Sequence, residues 1–411
     1  MTSRIAKIAN HRATAALVFA LSLPLAPAIA VGAENDAERA LASAYNTSGQ
    51  DLFRVLAKQP GNIVLSPYSI GTAMAMVMSG ARGETQTEMR SVLRHSLAAG
   101  EIDAANAHAL ALLTSSDAKS AEAKPEKAVT LRIANALMLV NAGATVAPSF
   151  EETIRTQYGS ELFKEATLDT VNAWAKAKTE GKIEKILERL NPQDSHVLPW
   201  AHAFPLSATR DRPFTLPNGD EIRVPTMTQQ GEFAIAKGNG YAAIRLPYAM
   251  DGLSMTIVRP EAADGLDTLI ARMDGAKMEA TLKSVRDVQK RRVALSMPRF
   301  KFEFKAELVE PFKSFGMSKV FDPAQSDLSG LTGKPRSEAQ STIDQIAHRA
   351  VIEVAEEGTE AAAATAVVVT TRAMRPDEVE RFQIDRPFLF MISDDKTGAL
   401  LFEGRVSDPR N

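Results

Sequence analysis

The stretch EEGTEAAAATAVVVTTRA, residues Glu356–Ala373, has a composition suited to a segment that changes its conformation. From Ala361 to Thr371 every residue is small or β-branched and none is charged. Gly358 permits a sharp change of backbone direction, and Val367–Val369 favour extended structure. In a strand, one face would carry only small side chains, because alternate residues share a face: Thr359, Ala361, Ala363 and Thr365. The segment could therefore enter a sheet without burying a charge; an ordinary buried strand or a low-complexity linker is the plainer interpretation.

The composition around this segment excludes several classes of protein. The chain has 411 residues, of which 45% are hydrophobic, and its formal net charge is -2, so it can build a sizeable core and has no basic field for nucleic acid or anionic lipid. It contains no cysteine, which excludes disulfides, thiol nucleophiles and cysteine zinc sites.

The first 30 residues have the pattern of a signal peptide. Arg4, Lys7 and Arg12 precede an apolar run from Ala15 to Leu25, and Ala28-Ile29-Ala30 is a small-x-small cleavage site. The apolar run is too short to span a bilayer, which takes about 20 residues. We therefore expect residues 1–30 to be removed, leaving residues 31–411 as a single domain that is periplasmic or extracellular and has no membrane anchor.

Helical patterns dominate the first half of the chain and strand patterns the second. Apolar spacing predicts helices over 37–56, 70–81 and 150–158, while the polar stretch 114–127 is interpreted as a surface loop. Strands are predicted at 242–247, 253–258, 293–304, 351–354 and 388–392, and Gly238-Asn239-Gly240 as a hairpin turn. This order favours an α+β fold with large antiparallel or mixed sheets.

Packing explains Met74, Met76 and Met78 better than a copper site, because they point to different helix faces.

Enzyme motifs are missing from the sequence. The six histidines, which are His11, His95, His108, His196, His202 and His348, include no pair at the helical spacing of zinc ligands. Neither a G-x-S-x-G elbow nor a phosphate-binding glycine loop is present. The basic run Lys290-Arg291-Arg292 is better explained as the solvated end of a helix than as a polyanion site. We expect no enzymatic activity, no cofactor and no metal.

The motif EEGTEAAAAT, Glu356–Thr365, resembles the hinge of the reactive-centre loop in bacterial, inhibitory-type serpins. Other segments resemble serpin patterns in the same order: NIVLSPYSI at 62–70, LRIANALML at 131–139, VNAWAKAKTEGKI at 171–183, LPYAMDGLSMTIVRP at 246–260, SMPRFKFEF at 296–304 and RPFLFMISDDKTGALLFEGRVSDP at 386–409. The resemblance covers almost the whole mature chain. It implies the serpin fold, with three sheets, eight or nine helices and an exposed reactive-centre loop at about 356–380.

The resemblance also implies a function. Family loop length places the cleaved bond between Arg372 and Ala373, and arginine there suits a trypsin-like serine protease as the partner of a monomeric inhibitor. The hinge would comprise Glu356, Glu357, Gly358, Thr359, Glu360, Ala361, Ala362, Ala363, Ala364 and Thr365. After cleavage this segment would insert into the main sheet as a new strand and trap the protease. Sheet opening would be controlled by Ser66, Ser69, His348 and Arg299, the last paired with Glu356.

One departure from the family pattern concerns the main sheet. Only seven residues separate Asn191-Pro192 from Trp200, where the family carries a long strand, and a smaller shortening precedes Val171. The absent strand would be the neighbour of the inserted loop. A non-inhibitory protein that is cleaved without trapping the protease, or that binds a partner, therefore remains the alternative; a secreted hydrolase is a more distant one.

Overall fold

The computed structural model describes residues 27–122, 136–138, 145–164, 166–178, 185, 202–204, 207–248, 252–356 and 379–410. In this part of the chain there are ten α-helices, where eight or nine were expected: α1 Pro27–Leu56, α2 Pro67–Gly80, α3 Gly83–Val92, α4 Ala99–Glu122, α5 Pro148–Tyr158, α6 Leu168–Lys178, α7 Leu266–Arg272, α8 Gly275–Asp287, α9 Val309–Ser314 and α10 Ser329–Thr332. The last of these is a single turn of four residues. The number of helices therefore exceeds the expected eight or nine because short helices such as α10 are counted.

Fourteen strands accompany the helices in the described residues. They are β1 Ile63–Leu65, β2 Ala136–Met138, β3 Glu161–Phe163, β4 His202–Phe204, β5 Ser207–Thr215, β6 Glu221–Gly238, β7 Tyr241–Pro247, β8 Leu253–Pro260, β9 Arg291–Pro298, β10 Phe300–Glu307, β11 Ala347–Glu356, β12 Glu380–Gln383, β13 Phe388–Asp394 and β14 Leu400–Val406. Most strands follow most helices along the chain. The predicted α+β class is confirmed.

Helix α2 shows how the local sequence sets the fold. Ser66 is its N-cap, with an extended backbone and a side chain that accepts a hydrogen bond from the Ser69 amide, and Pro67 occupies the first helical position. All but one of its 14 residues are buried, including Met74, Met76 and Met78. Since every face of α2 packs against neighbours, these methionines are core residues, as the sequence indicated.

The largest sheet has nine strands. Eight follow the order β1-β14-β13-β8-β7-β6-β9-β12, and β5 pairs with β6. The glycine turn between β6 and β7 forms the predicted hairpin, with Gly240 at a φ of +80°. Two smaller sheets consist of β10-β11-β4 and of β2-β3.

Two predictions from the sequence were wrong in detail. Residues 114–122, interpreted as loop, continue helix α4 as far as Glu122. The predicted strand 293–304 is divided at Arg299, whose backbone amide donates to the Pro225 carbonyl at 2.9 Å, so that β9 joins the nine-stranded sheet and β10 joins the sheet of β11.

Arg405 of β14 ties the end of helix α1 to the sheet. Only 3% of the residue is exposed. Its guanidinium donates to the carbonyls of Ala57, Gln59 and Gly61, which follow α1, and pairs with Asp267 at 3.1 Å. The carbonyls at a helix end have no partner within the helix. Arg405 therefore supplies donors to carbonyls that the helix itself cannot satisfy.

We predict that Arg405→Met lowers the free energy of unfolding by about 3 kcal/mol, because it removes the charge-assisted hydrogen bonds of a buried guanidinium to three carbonyls. Urea unfolding of wild type and variant measures the difference. Arg410→Met is the matched control, since Arg410 is half-exposed and its guanidinium pairs with Asp408, and it should lower the free energy of unfolding far less. Equal losses in the two variants would contradict this role for Arg405.

Candidate functional site

Two strands in different sheets flank the predicted reactive-centre loop. Strand β11 ends at Glu356 in the three-stranded sheet, and β12 begins at Glu380 in the nine-stranded sheet. The remaining predicted loop residues lie outside the described residues: Glu357, Gly358, Thr359, Glu360, Ala361, Ala362, Ala363, Ala364, Thr365, Arg372 and Ala373. The site is therefore described by the strands from which this segment departs and to which it returns.

Strand β11 is paired very differently on its two sides. With β10 it forms an antiparallel pair along its whole length except the last two residues, from Glu307↔Ala347 to Phe300↔Val354. With β4 it forms a parallel pair that covers only Val354–Glu356. Among the described residues no other strand pairs with β11. The short β4 lies just after the region where the sequence indicated a missing strand; the seven residues before Trp200 in that region lie outside the described residues.

The far end of the segment is anchored by two arginines. Glu380 pairs with Arg291 of β9 at 2.9 Å. The guanidinium of Arg259 lies 5.1 Å from the centre of the Phe382 ring and donates to the Gln383 carbonyl. Burial lowers the pKa of Arg259, and Arg386 adds to this effect. No sequence motif pointed to these residues, because the contacts join strands that are distant along the chain.

The predicted control residues Ser66, Ser69 and His348 lie close to one another. The Ser66 hydroxyl donates to the Ser69 hydroxyl at 2.8 Å, and both side chains are buried. The His348 imidazole on β11 bonds to the backbone of Val64, two residues before Ser66. Strand β1, which leads into α2, is thereby connected to the beginning of β11.

His348 is neutral in this environment. Burial lowers the pKa of its imidazole to about 4, although the hydrogen bond to Val64 acts in the opposite direction. The Nε2 atom is buried without a hydrogen-bond partner. The imidazole therefore joins β11 to Val64 through a single hydrogen bond among the described residues.

Arg299 and Glu356 lie at the same end of the β10–β11 pair. Arg299 immediately precedes Phe300, which pairs with Val354, and its side chain is exposed. Glu356 is the last residue of β11, and its backbone pairs with Phe204 of β4. The placement fits the expected pair; the Glu356 side chain is not among those described.

Helix α6 covers β11, a contact that the sequence analysis did not identify. Val171, Trp174 and Ala175 pack on Ala347 and Val351 in a small cluster separate from the main core. The indole Nε1 of Trp174 is buried without an acceptor. The spacing of 171, 174 and 175 along one helix face was a usable signal, but it did not show which strand the face would meet.

The described residues contain no helix long and apolar enough to cross a bilayer. They also contain no group of three or more His, Asp or Glu side chains placed to hold a metal ion.

Comparison with known proteins assigns the family. A family model for serpins, serine protease inhibitors, matches residues 43–409. A serpin-like protein of Thermococcus kodakarensis is 33% identical, with 91% of this chain and 87% of the relative covered. Leukocyte elastase inhibitor of Homo sapiens is 31% identical, with 90% and 99% covered. Iripin-2 of Ixodes ricinus is also 31% identical, with 90% and 94% covered.

Solved structures agree with this assignment. The native structure of tengpin, a thermophilic serpin, is 26% identical and superposes with a TM-score of 0.75, covering 89% of this chain and 94% of tengpin. Native protease nexin-1, solved with heparin, has the same fold, with a TM-score of 0.72 at 22% identity over 90% of this chain and 100% of that one. With the family model matching most of its length, this chain belongs to the serpin family.

Proposed function

We propose that the protein is an exported suicide inhibitor of a trypsin-like serine protease and that the bond between Arg372 and Ala373 is its bait. The observation that supports this most is the attachment of the segment to β11 at one end and to β12, in another sheet, at the other. Cleavage after Arg372 would leave the hinge attached to β11 alone. The cut segment would then be free to follow β11 into its sheet.

The pairing around β11 provides a reason for insertion. Strands β11 and β4 run parallel. A segment that turned back after Glu356 and entered between them would run antiparallel to both, and antiparallel pairs are slightly more stable per residue. Gly358 supplies the backbone freedom for that turn. At roughly 3.3 Å per residue, the segment from Gly358 to Arg372 would span about 46 Å.

The chemistry of trapping follows from this movement. The serine hydroxyl of the protease would attack the Arg372 carbonyl carbon, the bond to the Ala373 nitrogen would break, and Arg372 would remain as an ester on the protease. Insertion would carry the esterified protease away from Glu356 before water could hydrolyse the ester. The names of similar proteins, such as leukocyte elastase inhibitor, fit an inhibitory role. Export rests on the leader pattern in residues 1–30.

We further propose that the bonds of Ser66, Ser69 and His348 keep this sheet closed before cleavage. His348 lies on β11 and holds Val64, so any shift of β11 away from β1 must break that bond. Arg299 and Glu356 would act at the other end of the strand, where the loop departs.

A second candidate function is favoured by the short β4. An inserted strand would find only Val354–Glu356 of β11 already facing a described neighbour on that side. If insertion is slow for this reason, the protease would hydrolyse the ester and leave, and the protein would be a substrate or a binding protein without inhibitory activity.

Mixing the purified mature protein with trypsin distinguishes the two candidates. We expect a complex that survives denaturing electrophoresis, and we expect Arg372→Ala to lower the association rate on the order of a thousandfold, because the charged pocket is then left unpaired. Arg375→Ala is the matched control and should react like wild type. Clean cleavage with full trypsin activity remaining would favour the non-inhibitory candidate. An unchanged association rate for Arg372→Ala would show that trypsin cleaves a different bond.

A variant of the hinge tests insertion itself. Thr359→Arg should convert the protein from inhibitor to substrate, because an unpaired guanidinium costs several kcal/mol to bury in the sheet. Glu360→Arg is the control, since residue 360 faces the other side of the inserted strand. The measured quantity is the number of inhibitor molecules consumed per protease inhibited. Cleaved wild type should also melt at a higher temperature than intact protein, and identical melting would contradict insertion.

The pH dependence of stability tests His348. Its folded pKa of about 4 lies below the ordinary 6.5, so the unfolded chain binds more protons between these values. The stabilising contribution is complete above pH 6.5 and is lost as the pH falls through 4, up to about 3 kcal/mol. His348→Asn should flatten this acid limb in urea unfolding. Burial also lowers the pKa of His95 to about 4, so His95 accounts for the slope that remains. An acid limb that is the same in His348→Asn as in wild type would contradict the assignment.

A further inference from the structure

A carboxyl group and a primary amide meet in the core between helix α1 and strand β14. Glu403 of β14 is 1% exposed and Gln50 of α1 is fully buried. The Gln50 side chain hydrogen-bonds to the Glu403 carboxyl group. The Gln50 Nε2 atom also donates to the Met273 carbonyl at 2.8 Å, in the connection between α7 and α8. The pair therefore joins the first helix to the last strand.

Two oxygens of this pair have no partner if Glu403 is ionised. They are Gln50 Oε1 and Glu403 Oε2, and both are buried. A carboxylate can only accept hydrogen bonds, whereas a carboxylic acid also has one O–H donor. Buried polar atoms are almost always hydrogen-bonded. A single proton on Glu403 satisfies both oxygens at once, because an acid and an amide each offer one donor and one acceptor.

We propose that Glu403 is a neutral carboxylic acid in the folded protein, that its O–H donates to Gln50 Oε1, and that loss of this proton opens the contact between α1 and β14. The closed pair has two parallel hydrogen bonds, from Gln50 to Glu403 and from Glu403 to Gln50. The second amide hydrogen of Gln50 stays hydrogen-bonded to the Met273 carbonyl. Deprotonation takes this O–H donor away from Gln50 Oε1 and places a charge in the core.

Among the residues that the structure describes, no cation pairs with Glu403. The residues opposite it on β1 and β13 are Leu65 and Met391. The charged groups on the neighbouring elements bind elsewhere: Arg405 and Asp267 to each other, Arg54 to the Ala271 carbonyl, Asp51 to Arg94 and Asp274 to Lys277. Burial accordingly raises the pKa of Glu403 to about 8, against a smaller lowering by Gln50.

The proton makes the stability of the fold depend on pH in a defined window. The folded pKa lies above the ordinary value of 4.5, so the folded state holds the proton longer than the unfolded chain does. The stabilising contribution is complete below pH 4.5 and is lost as the pH rises through about 8. Within this window the unfolding constant should increase up to tenfold per pH unit from this group alone.

The test compares Glu403→Gln with wild type in urea unfolding of the uncleaved chain from pH 5 to 9. A glutamine keeps both hydrogen bonds at every pH, so the ratio of wild-type to variant unfolding constants should rise at least a hundredfold across this range. Glu279→Gln, on an exposed position of α8, is the matched control and should leave the profile unchanged. Superimposable profiles of wild type and Glu403→Gln would overturn the proposal.

An infrared measurement keeps the proposal testable if Glu403→Gln does not fold. A protonated carboxyl band in wild type at pH 6 that disappears near pH 8 supports it, and Gln50→Met should shift that band by removing the acceptor. Absence of any such band at pH 6 overturns it. No protease takes part in either experiment, so the result is independent of inhibitory activity.

Discussion

The unequal pairing of β11 is the constraint on which the rest of the candidate site depends. One edge of this strand is hydrogen-bonded to β10 from Ala347 to Val354, and the other is held by β4 at Val354–Glu356. Unpaired backbone groups inside a fold cost free energy unless something satisfies or covers them. Helix α6 covers the face of β11, and His348 ties it to Val64 of β1. The proposed hinge begins where this strand ends.

The sequence predicted much of the core, because the core depends on local patterns, while the hinge stays a prediction. Helices α1, α2 and α5 and strands β7, β8 and β13 of the large sheet lie where apolar spacing placed them. The wrong prediction over 114–122 has a local cause as well. Its polarity suggested a loop, yet alanine, lysine and glutamate are good helix formers and no proline occurs before Pro125, so a solvated helix fits the same residues.

The long-range contacts could not be predicted, because no local pattern encodes them. A run of β-propensity from 293 to 304 does not reveal that Arg299 marks a change of sheet. The pairing of His348 with Val64 and of Gln50 with Glu403 joins elements distant along the chain. No local pattern marks Gln50 or Glu403 as buried, and the family resemblance that pointed to His348 did not give its partner. The burial of these groups and their contacts show what is unusual about them.

Some buried side chains leave a polar atom without a hydrogen-bond partner among the described residues. Two of these side chains lie on β11 or against it. Nε2 of His348 and Nε1 of Trp174 are buried without partners, and each such atom costs about 1–3 kcal/mol. A protein selected only for a stable native state would gain by replacing them with apolar side chains. If the loop inserts as proposed, these unsatisfied atoms matter because they raise the free energy of the uncleaved state. The proposed insertion would then draw its free energy from the antiparallel pairs that form and from any of these unsatisfied atoms that find partners on insertion.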